Sequence, residues 1–339
     1  MFRKLVFAFA SLALLLSACA PAATPAPTLA PTSVPATSVP PTVAPSAIPV
    51  TPTAAPTATS TAISLTDGLG RTVKLAGPAQ RIVSLAPSNT EILYAIGAGK
   101  QVVGRDQTSD FPAEVKALPD LGGFDKYNYE QLVALKPDLV LLAEINAQEQ
   151  VKQLESLGLT VFYLNNPKTI EDLYGNLNIV AQLSGHAREA AALAESLKAR
   201  VAAVDQKINI SSFHPVVYYE IDGTDPAKPY TVGPGSFIDQ LIARAGGVDM
   251  TALAGITDPY PQVSLEQVVK TNPDLIILGD AMFGTSVESI GKRPGWATLK
   301  AVTGAHVYPF DDNTVSRPGP RLVDGLEALA KLLHPELFK

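Results

Sequence analysis

Short apolar runs alternate with amphipathic stretches along most of this chain, and one such pair occurs twice. The segments Glu130–Leu142 and Glu266–Leu278 both begin with Glu-Gln, and both place Pro-Asp at the same spacing behind it. The pattern predicts a short amphipathic helix, a stop at Pro-Asp and a buried strand of four apolar residues. The repeat indicates two similar α/β lobes, although such helix–strand units are also common in α/β proteins without duplication.

In the first half of the chain, strand and helix patterns also alternate before and after the first repeated segment, Glu130–Leu142. We predict that Ser88 or Asn89 caps the first helix and that Gly97 and Gly99 end it. Strands that alternate with helices favour a parallel sheet with helices on both faces. The predicted strands span residues 81–85, 102–104 and 160–164, and the predicted helices begin at 87 and span 147–157.

Residues 169–208 break the alternation with two consecutive helices, separated at Ser184-Gly185. The second helix, from His186 to about Ile208, is rich in strong helix formers. A helix of this length extends about 33 Å, which is enough to cross a lobe. We therefore predict a rigid helical connector and limited closure of the lobes on ligand binding.

The remaining residues repeat the strand and helix alternation as a second lobe. Strand patterns occur at residues 215–220 and 305–310, and helical patterns at 237–245 and 320–333. The predicted fold class is α/β, with two lobes of mainly parallel sheet and flanking helices joined by one long rigid helix. The predicted boundaries are 63–168 for the N-terminal lobe, 169–208 for the connecting helices and 209–339 for the C-terminal lobe. A cleft between two such lobes is a common place for a small ligand.

The N-terminus has the pattern of a secretory signal over residues 1–18, with Arg3 and Lys4 before an apolar run. Its end, Leu16-Ser17-Ala18-Cys19, resembles the bacterial lipoprotein box, which implies lipid on Cys19. Cys19 is the only cysteine, so a disulfide within the chain is impossible. Residues 19–62 are rich in Pro, Thr and Ala and predict a disordered tether. We expect an extracytoplasmic protein, periplasmic or at the cell surface, held to the membrane by lipid and not crossing it.

Composition narrows the functional class. The formal net charge of −6 and the lack of a basic run argue against a nucleic-acid partner. The four histidines are scattered without metal-ligand spacing, so we expect no metal site and no bound cofactor. The sequence contains no nucleophile elbow, Walker loop, zinc-protease motif or dinucleotide fingerprint. We therefore expect a binding protein and not an enzyme.

Several segments together resemble the substrate-binding proteins of ABC importers for cobalamin, ferric siderophores and haem. The resemblance covers about residues 64–335 and is carried by four motifs, one of which occurs twice. The match is closest to the cobalamin-binding branch, which implies the class III fold with a helical backbone. The motifs are residues 81–91, the two repeats, residues 260–266 and residues 317–321.

The resemblance implies capture of a corrinoid between the lobes and delivery to a permease dimer with its ATPase. Glu130 and Glu266 occupy the positions that dock to permease arginines, although the first turn of a helix also favours a glutamate for its dipole alone. Each predicted ligand residue could instead serve packing, and Arg317 could cap a helix or pair with a neighbouring aspartate. The implied ligand-binding residues are Phe124, Tyr127, Tyr230, Tyr260, Asn313 and Arg317.

The ligand itself stays open at this stage. Cobalamin binders of this family tend to carry several tryptophans in the cleft, and this chain has only Trp296, in a segment expected to lie elsewhere. Haem and ferric siderophores are therefore alternative ligands. A surface sensor that uses the same fold without transport is a further alternative.

Overall fold

The computed structural model describes residues 62–339, which lie in one compact unit. The predictions for residues 1–18 and for Cys19, and all but the last residue of the predicted tether, lie outside the described residues. Within residues 62–339, no helix combines the length and the apolar character needed to cross a membrane.

The first lobe, which we call the N-lobe, is built on a parallel sheet of four strands flanked by helices and two small hairpins. Its elements are β1 (Ile63–Thr66), β2 (Thr72–Leu75), β3 (Ile82–Ser84), α1 (Pro87–Ala95), β4 (Val102–Arg105), β5 (Gly122–Gly123), β6 (Lys126–Tyr127), α2 (Tyr129–Ala134), β7 (Leu139–Ala143), α3 (Gln148–Ser156) and β8 (Val161–Leu164). The strand order of its sheet is β4-β3-β7-β8, and β1–β2 and β5–β6 form separate antiparallel pairs.

Two helices, α4 (Ile170–Ser184) and α5 (Ala187–Ile208), follow the N-lobe and separate the two sheets in sequence. Gly185 ends α4 in the left-handed conformation, with φ of 85°, which glycine adopts without steric cost. The predicted break at Ser184-Gly185 is therefore confirmed, and α5 is 22 residues long. The predicted boundaries at 168 and 209 fall in the connections that flank this pair of helices.

The second lobe, which we call the C-lobe, has a sheet of five strands. Its elements are β9 (Val216–Asp222), β10 (Tyr230–Thr231), α6 (Phe237–Arg244), β11 (Val248–Asp249), α7 (Met250–Leu253), α8 (Leu265–Thr271), β12 (Leu275–Leu278), α9 (Val287–Gly291), α10 (Lys300–Thr303), β13 (Val307–Pro309), α11 (Asn313–Ser316) and α12 (Leu322–Leu333). The order is β10-β9-β12-β13, β11 also pairs with β9, and only β10 is antiparallel.

The two sheets follow the same plan, because β11, β9, β12 and β13 repeat the order of β4, β3, β7 and β8. An aspartate after each repeated helix fixes the same junction in both lobes. Asp138 accepts hydrogen bonds from the backbone N–H of Arg81 at 3.0 Å and of Gln80 at 2.7 Å. Asp274 accepts one from the N–H of Val216 at 2.9 Å. Each carboxylate therefore anchors the start of the central strand, β3 or β9.

The repeated helices end where the sequence predicts, and the structure shows why. Lys136 and Asn272, which directly precede Pro137 and Pro273, have φ of 48° and 47°. A residue before proline is disfavoured in the helical region, and the left-handed turn redirects the chain into the next strand. The helix–stop–strand prediction is confirmed in both lobes.

One local prediction is wrong. Helix α1 begins at Pro87 with Ala86 as its N-cap, and no side chain caps it. Proline at the first helical position is already preorganised for the helix and has no N–H to satisfy. Ser88 and Asn89 therefore lie inside the helix, where both are buried.

Residues 62–339 contain three apolar clusters, and the largest runs from one lobe through the connecting helices into the other. It contains Ile82 and Leu139 from the N-lobe sheet, Leu197 from α5, and Val217 and Ile277 from the C-lobe sheet. A continuous core of this kind couples the lobes mechanically, because interiors are close-packed. The α/β fold with two parallel-sheet lobes and a long helix between them is confirmed.

Candidate cleft between the lobes

The carboxyl ends of the strands form a cavity where the two lobes meet, as expected for open α/β sheets. This seam cavity has a volume of about 220 Å³. The N-lobe contributes Asn166 and Pro167, which follow β8. The C-lobe contributes residues from four segments. They are Ile221, Phe237, Ile238, Tyr260, Asp312, Val315, Ser316 and Pro318.

A larger cavity of about 920 Å³ lies against the C-lobe alone, and we call it the C-lobe pocket. It is formed by the loops that follow β9 and β12 and by α9 with the residues behind it. Ile221 lines both cavities, so the C-lobe pocket adjoins the seam cavity. Its volume is at the upper end of the usual range for small-molecule sites. The lining includes Asp222, Thr224, Asp280, Phe283, Thr285, Lys292 and Arg293.

A buried ion pair supports one side of the C-lobe pocket. Arg293 binds both carboxylate oxygens of Glu220, with Nη2 at 2.7 Å from Oε1. The Tyr218 hydroxyl donates to Glu220 Oε2 at 2.9 Å, and the guanidinium lies 4.8 Å from the centre of the Trp296 ring. Burial raises the pKa of Glu220 above its ordinary value, and Arg293 offsets only part of this. Both charges of the pair are thus engaged within the protein.

Asp280 lies in the same wall and is only 4% exposed. Its Oδ2 accepts hydrogen bonds from the Gly223 N–H at 2.8 Å and from the Thr285 hydroxyl at 2.7 Å. Its Oδ1 has no hydrogen-bond partner among residues 62–339. A buried acceptor without a partner is uncommon and costly, which makes Asp280 a candidate for ligand contact.

A second charged cluster joins the lobes beside the seam cavity, and we call it the brace. Glu91 in α1 accepts from Arg321 Nε at 2.9 Å and from Arg321 Nη2 at 2.6 Å. Arg317 Nη1 donates to Asp110 at 2.6 Å and lies 3.4 Å from Glu91. Burial opposes ionisation of Asp110, but the Arg317 guanidinium outweighs it and the pKa falls below its ordinary value. The brace ties the loop before α12 to the N-lobe.

Two predicted ligand residues have other roles in the structure. Tyr127 is 3% exposed, its hydroxyl donates to the Leu85 carbonyl at 3.1 Å, and it accepts from Asn146 Nδ2 at 2.7 Å. Burial raises its pKa further from the physiological range. Tyr127 is therefore a packed core residue, which corrects the prediction of ligand contact. Arg317 belongs to the brace, and its pairing partners are not the neighbouring aspartates that the sequence indicated.

Tyr260 is the predicted residue that the structure places most clearly in the cleft. It lines the seam cavity and is 51% exposed. Burial, and then the nearby Asp312 carboxylate, raise the pKa of its hydroxyl. Tyr230 is also exposed and forms a backbone bridge with Gln262. Asn313 donates from Nδ2 to Asp311 Oδ1 at 3.0 Å. Ligand contact by these three residues stays a prediction.

Phe124 corresponds to Tyr260 in the duplicated plan. It precedes Glu130 by as many residues as Tyr260 precedes Glu266. Phe124 lies in the turn of the β5–β6 hairpin, is half-buried, and its carbonyl accepts from Gln150 Nε2 at 2.6 Å. The two lobes thus carry an aromatic residue at matched positions.

Glu130 and Glu266 also occupy matched positions, each as the second residue of its helix. The side chains of Asn128 and Ser264 cap these helices. Both glutamates are exposed, and neither forms an ion pair within residues 62–339. The structure therefore leaves two equivalent carboxylates at the surface, one on each lobe.

Residues 82–314 match the family model described as periplasmic binding protein, which is more than half of the chain. The chain belongs to the periplasmic binding protein family. This membership confirms the resemblance seen in the sequence and indicates an extracytoplasmic protein.

Curated relatives and solved structures of the family agree with this assignment. An uncharacterized ABC transporter substrate-binding lipoprotein of Bacillus subtilis is 32% identical over 82% of this chain and 87% of its own length. A cobalamin-binding protein of Halobacterium salinarum is 30% identical over 79% of this chain and 73% of its own. A periplasmic heme-binding protein of Roseiflexus sp. RS-1, in apo form, aligns with a TM-score of 0.69 and 28% identity, over 76% of this chain and 99% of its own.

The sequence alone did not indicate several residues that lie in or beside the cleft. Glu91 of the brace, Asp280 and the 81% exposed Phe283 of the C-lobe pocket were not singled out. A signal was present for the last two, because they follow the second repeated strand, and ligands of α/β sheets bind at carboxyl ends. No group of three or more His, Cys, Asp or Glu suited to a metal ion occurs within residues 62–339.

Proposed function

We propose that this chain is the extracytoplasmic substrate-binding component of an ABC importer and that it captures a corrinoid between its lobes. The observation that carries the proposal is the seam cavity together with the C-lobe pocket that adjoins it, with the aromatic rings of Tyr260 and Phe283 in their lining. A corrinoid is a broad ring with apolar faces and an amide fringe, so it needs aromatic surface together with polar partners. The cobalamin-binding relative of Halobacterium salinarum supports this choice.

The partner in this proposal is a permease dimer with its ATPase. Two equivalent carboxylates, Glu130 and Glu266, suit a twofold partner that presents two equivalent arginines, because carboxylate and guanidinium can pair in bidentate geometry. Both are exposed, and neither forms an ion pair within the described part of the chain, residues 62–339, which leaves them available for this role. Binding and delivery need no bond chemistry, so the proposed function includes no enzymatic step.

The proposed location is the outer side of the membrane, with the protein anchored through lipid on Cys19. The lipoprotein box in the sequence supports the anchor, and the similar Bacillus subtilis protein is named a lipoprotein. Lipid chains contribute roughly 0.8 kcal/mol for each buried methylene, and more than one chain gives stable attachment. Mass spectrometry of the mature protein tests this, because a lipidated Cys19 would be its first residue.

Haem is the second candidate ligand, favoured by the structural similarity to a heme-binding protein. Haem iron needs an axial ligand such as histidine or tyrosine. No histidine lines the seam cavity or the C-lobe pocket as the structure describes them, and Tyr260 is the tyrosine in that lining. A haem-binding form of this protein would therefore depend on the Tyr260 hydroxyl, and corrinoid binding would not.

This difference defines the experiment. The full-length protein is titrated with cyanocobalamin, cobinamide, haemin and a ferric hydroxamate, with visible absorbance and equilibrium dialysis as readouts. We expect a corrinoid to bind with a Kd well below about 10 μM, which means a binding free energy more favourable than about −7 kcal/mol. We also expect Tyr260→Phe to retain corrinoid binding. If the protein bound haemin but no corrinoid, and if Tyr260→Phe abolished the haemin binding, haem capture would replace the proposal.

A further inference from the structure

We infer that the cleft selects ligands with a neutral, amide-bearing periphery and rejects ligands whose periphery carries carboxylates. This inference rests on the proposed function, since it specifies which chemical form of a corrinoid ring the cleft accepts. It follows from the charges that line the seam cavity and the C-lobe pocket and from the partners that those charges already have.

The acidic groups of the lining form no ion pairs within residues 62–339, and Arg293, whose charge acts on Asp280 through space, is already paired with Glu220. Asp222 accepts from the Thr224 N–H at 2.9 Å, and Asp312 accepts from the Tyr219 hydroxyl at 2.7 Å. Asp280 accepts from Gly223 and Thr285, as described above. Within residues 62–339, none of the three aspartates forms an ion pair. Their negative charges therefore act on whatever occupies the cleft.

The basic groups near the cleft are mostly neutralised. Glu220 holds both terminal nitrogens of Arg293. Glu91 and Asp110 hold Arg317 and Arg321 in the brace. Lys292 is the remaining cation in the lining of the two cavities, and it is exposed to solvent, where water and salt screen it. The cleft thus offers anionic ligand groups little to pair with and three carboxylates to repel them.

Asp280 adds an unmet hydrogen-bonding need to this charge distribution. Its buried Oδ1 accepts no hydrogen bond from residues 62–339, although the residue faces the pocket. A carboxylate oxygen accepts hydrogen bonds and donates none, so a ligand group that satisfies it must be an N–H, an O–H or a cation. An amide NH₂ meets this requirement, whereas an ionised carboxylate is an acceptor and would face like charge.

A pair of ligands with one ring and two peripheries tests the inference. Cobinamide carries amides around the corrin ring, and cobyrinic acid carries carboxylates there. We expect the full-length protein to bind cobinamide at least about tenfold more tightly at low salt, and we expect added salt to narrow the difference because screening weakens repulsion. The variants Asp222→Asn and Asp312→Asn, singly and combined, should also reduce the difference in affinity between the two ligands, because they improve the binding of cobyrinic acid.

Two further variants complete the design. Asp280→Asn removes the charge and retains one acceptor oxygen, so it should act in the same direction as the other two. Asp225→Asn is the matched control, because Asp225 lies in the same loop as Asp222 but does not line the pocket. Equal affinity for both ligands, or no response to the cleft variants, would overturn the inference and leave corrinoid capture standing. Binding of neither ligand would overturn the inference together with the proposed function.

Discussion

The two lobes share one framework and differ at the edge that faces the cleft. In the N-lobe, the carboxyl ends of β3 and β4 are tied together by Ser84, Thr90, Ser109 and Asp106. The Thr90 hydroxyl lies 2.8 Å from Ser84 Oγ and 3.0 Å from Ser109 Oγ, and Ser109 in turn donates to Asp106. In the C-lobe, the loops that follow β9, which is the counterpart of β3, and β12 open into a cavity of about 920 Å³.

This difference shows how a duplicated framework can acquire one asymmetric binding site. Features that fix the framework are the same in both halves, as the junction carboxylates Asp138 and Asp274 illustrate. Loops after the strands are free to diverge, because they contribute little to the shared core and carry function instead. The N-lobe therefore forms a closed, hydrogen-bonded wall, and the C-lobe forms the open and acidic wall.

The brace where the lobes meet should give the largest effect on stability. Removing one partner of a buried ion pair leaves an uncompensated charge and costs about 3–5 kcal/mol. Glu91→Gln should therefore lower the free energy of unfolding by about that amount in urea titration. Glu155→Gln is the control, because Glu155 pairs with Arg71 in an exposed position, where such pairs contribute about 0–1 kcal/mol. Equal effects of the two substitutions would show that the brace does not stabilise the lobes.

The docking carboxylates should act as an equivalent pair. The double variant Glu130→Lys/Glu266→Lys should lower corrinoid uptake in proteoliposomes with the cognate permease by at least about 100-fold, because reversed charges face arginines. Ligand affinity should not change, and each single variant should have an intermediate effect. Glu149→Lys, in the exposed first turn of α3, is the control. Normal uptake by the double variant would exclude this docking surface.

Substitution of the junction carboxylates Asp138 and Asp274 compares the frameworks of the two lobes directly. Asp138→Ala removes the acceptor of two backbone N–H groups and Asp274→Ala that of one, and each lost hydrogen bond costs about 0.5–1.5 kcal/mol. If the lobes are equivalent in this respect, the two losses in unfolding free energy should agree within about 1 kcal/mol. A loss confined to one variant would mean that the repeated sequence does not perform the same task twice.

One buried carboxyl in each lobe should make the stability of the fold depend on pH, and the two dependences should have opposite sign. Burial raises the pKa of C-lobe Asp249 to about 6, so folding favours its protonated form. Stability should rise as the pH falls from about 6 to 4, and Asp249→Asn should gain about 2 kcal/mol at pH 7 and little at pH 4. Asparagine is also a good helix N-cap, so the start of α7 is preserved.

Asp67 of the N-lobe is the matched comparison. Burial acts to raise its pKa, but hydrogen bonds from Arg71 and from backbone N–H groups outweigh this, and the net shift is downward. Asp67 therefore stabilises the fold above its unfolded pKa of about 4, and that contribution is lost as the pH falls through the folded value. Asp67→Asn should consequently lose stability at pH 7. If Asp249→Asn and Asp67→Asn changed the stability at pH 7 in the same direction, the opposite pKa shifts of the two carboxyls would be contradicted.

Much of the fold could be predicted from the sequence, because the signals for it are local. The Pro-Asp stops, the apolar strands and Gly185 each act within a few residues, and the structure follows them. The cleft was less predictable. The brace joins Glu91 to Arg321, which are far apart in sequence, and no local pattern indicates such a pair. Tyr127 carried an aromatic signal that fits ligand contact and core packing equally well, and its burial decides for packing.

In the proposed function, the two lobes hold one ligand jointly. The most direct measurement is calorimetric titration of the full-length protein with cyanocobalamin, for the native chain and for Phe124→Ala and Tyr260→Ala. We predict one ligand per chain and a loss of about 1 kcal/mol or more for each variant, since aromatic contacts contribute on this scale. The exposed Phe213, which lies outside the seam and the C-lobe pocket, provides a silent control as Phe213→Ala. No corrinoid binding, or binding that neither variant weakens, would contradict the account.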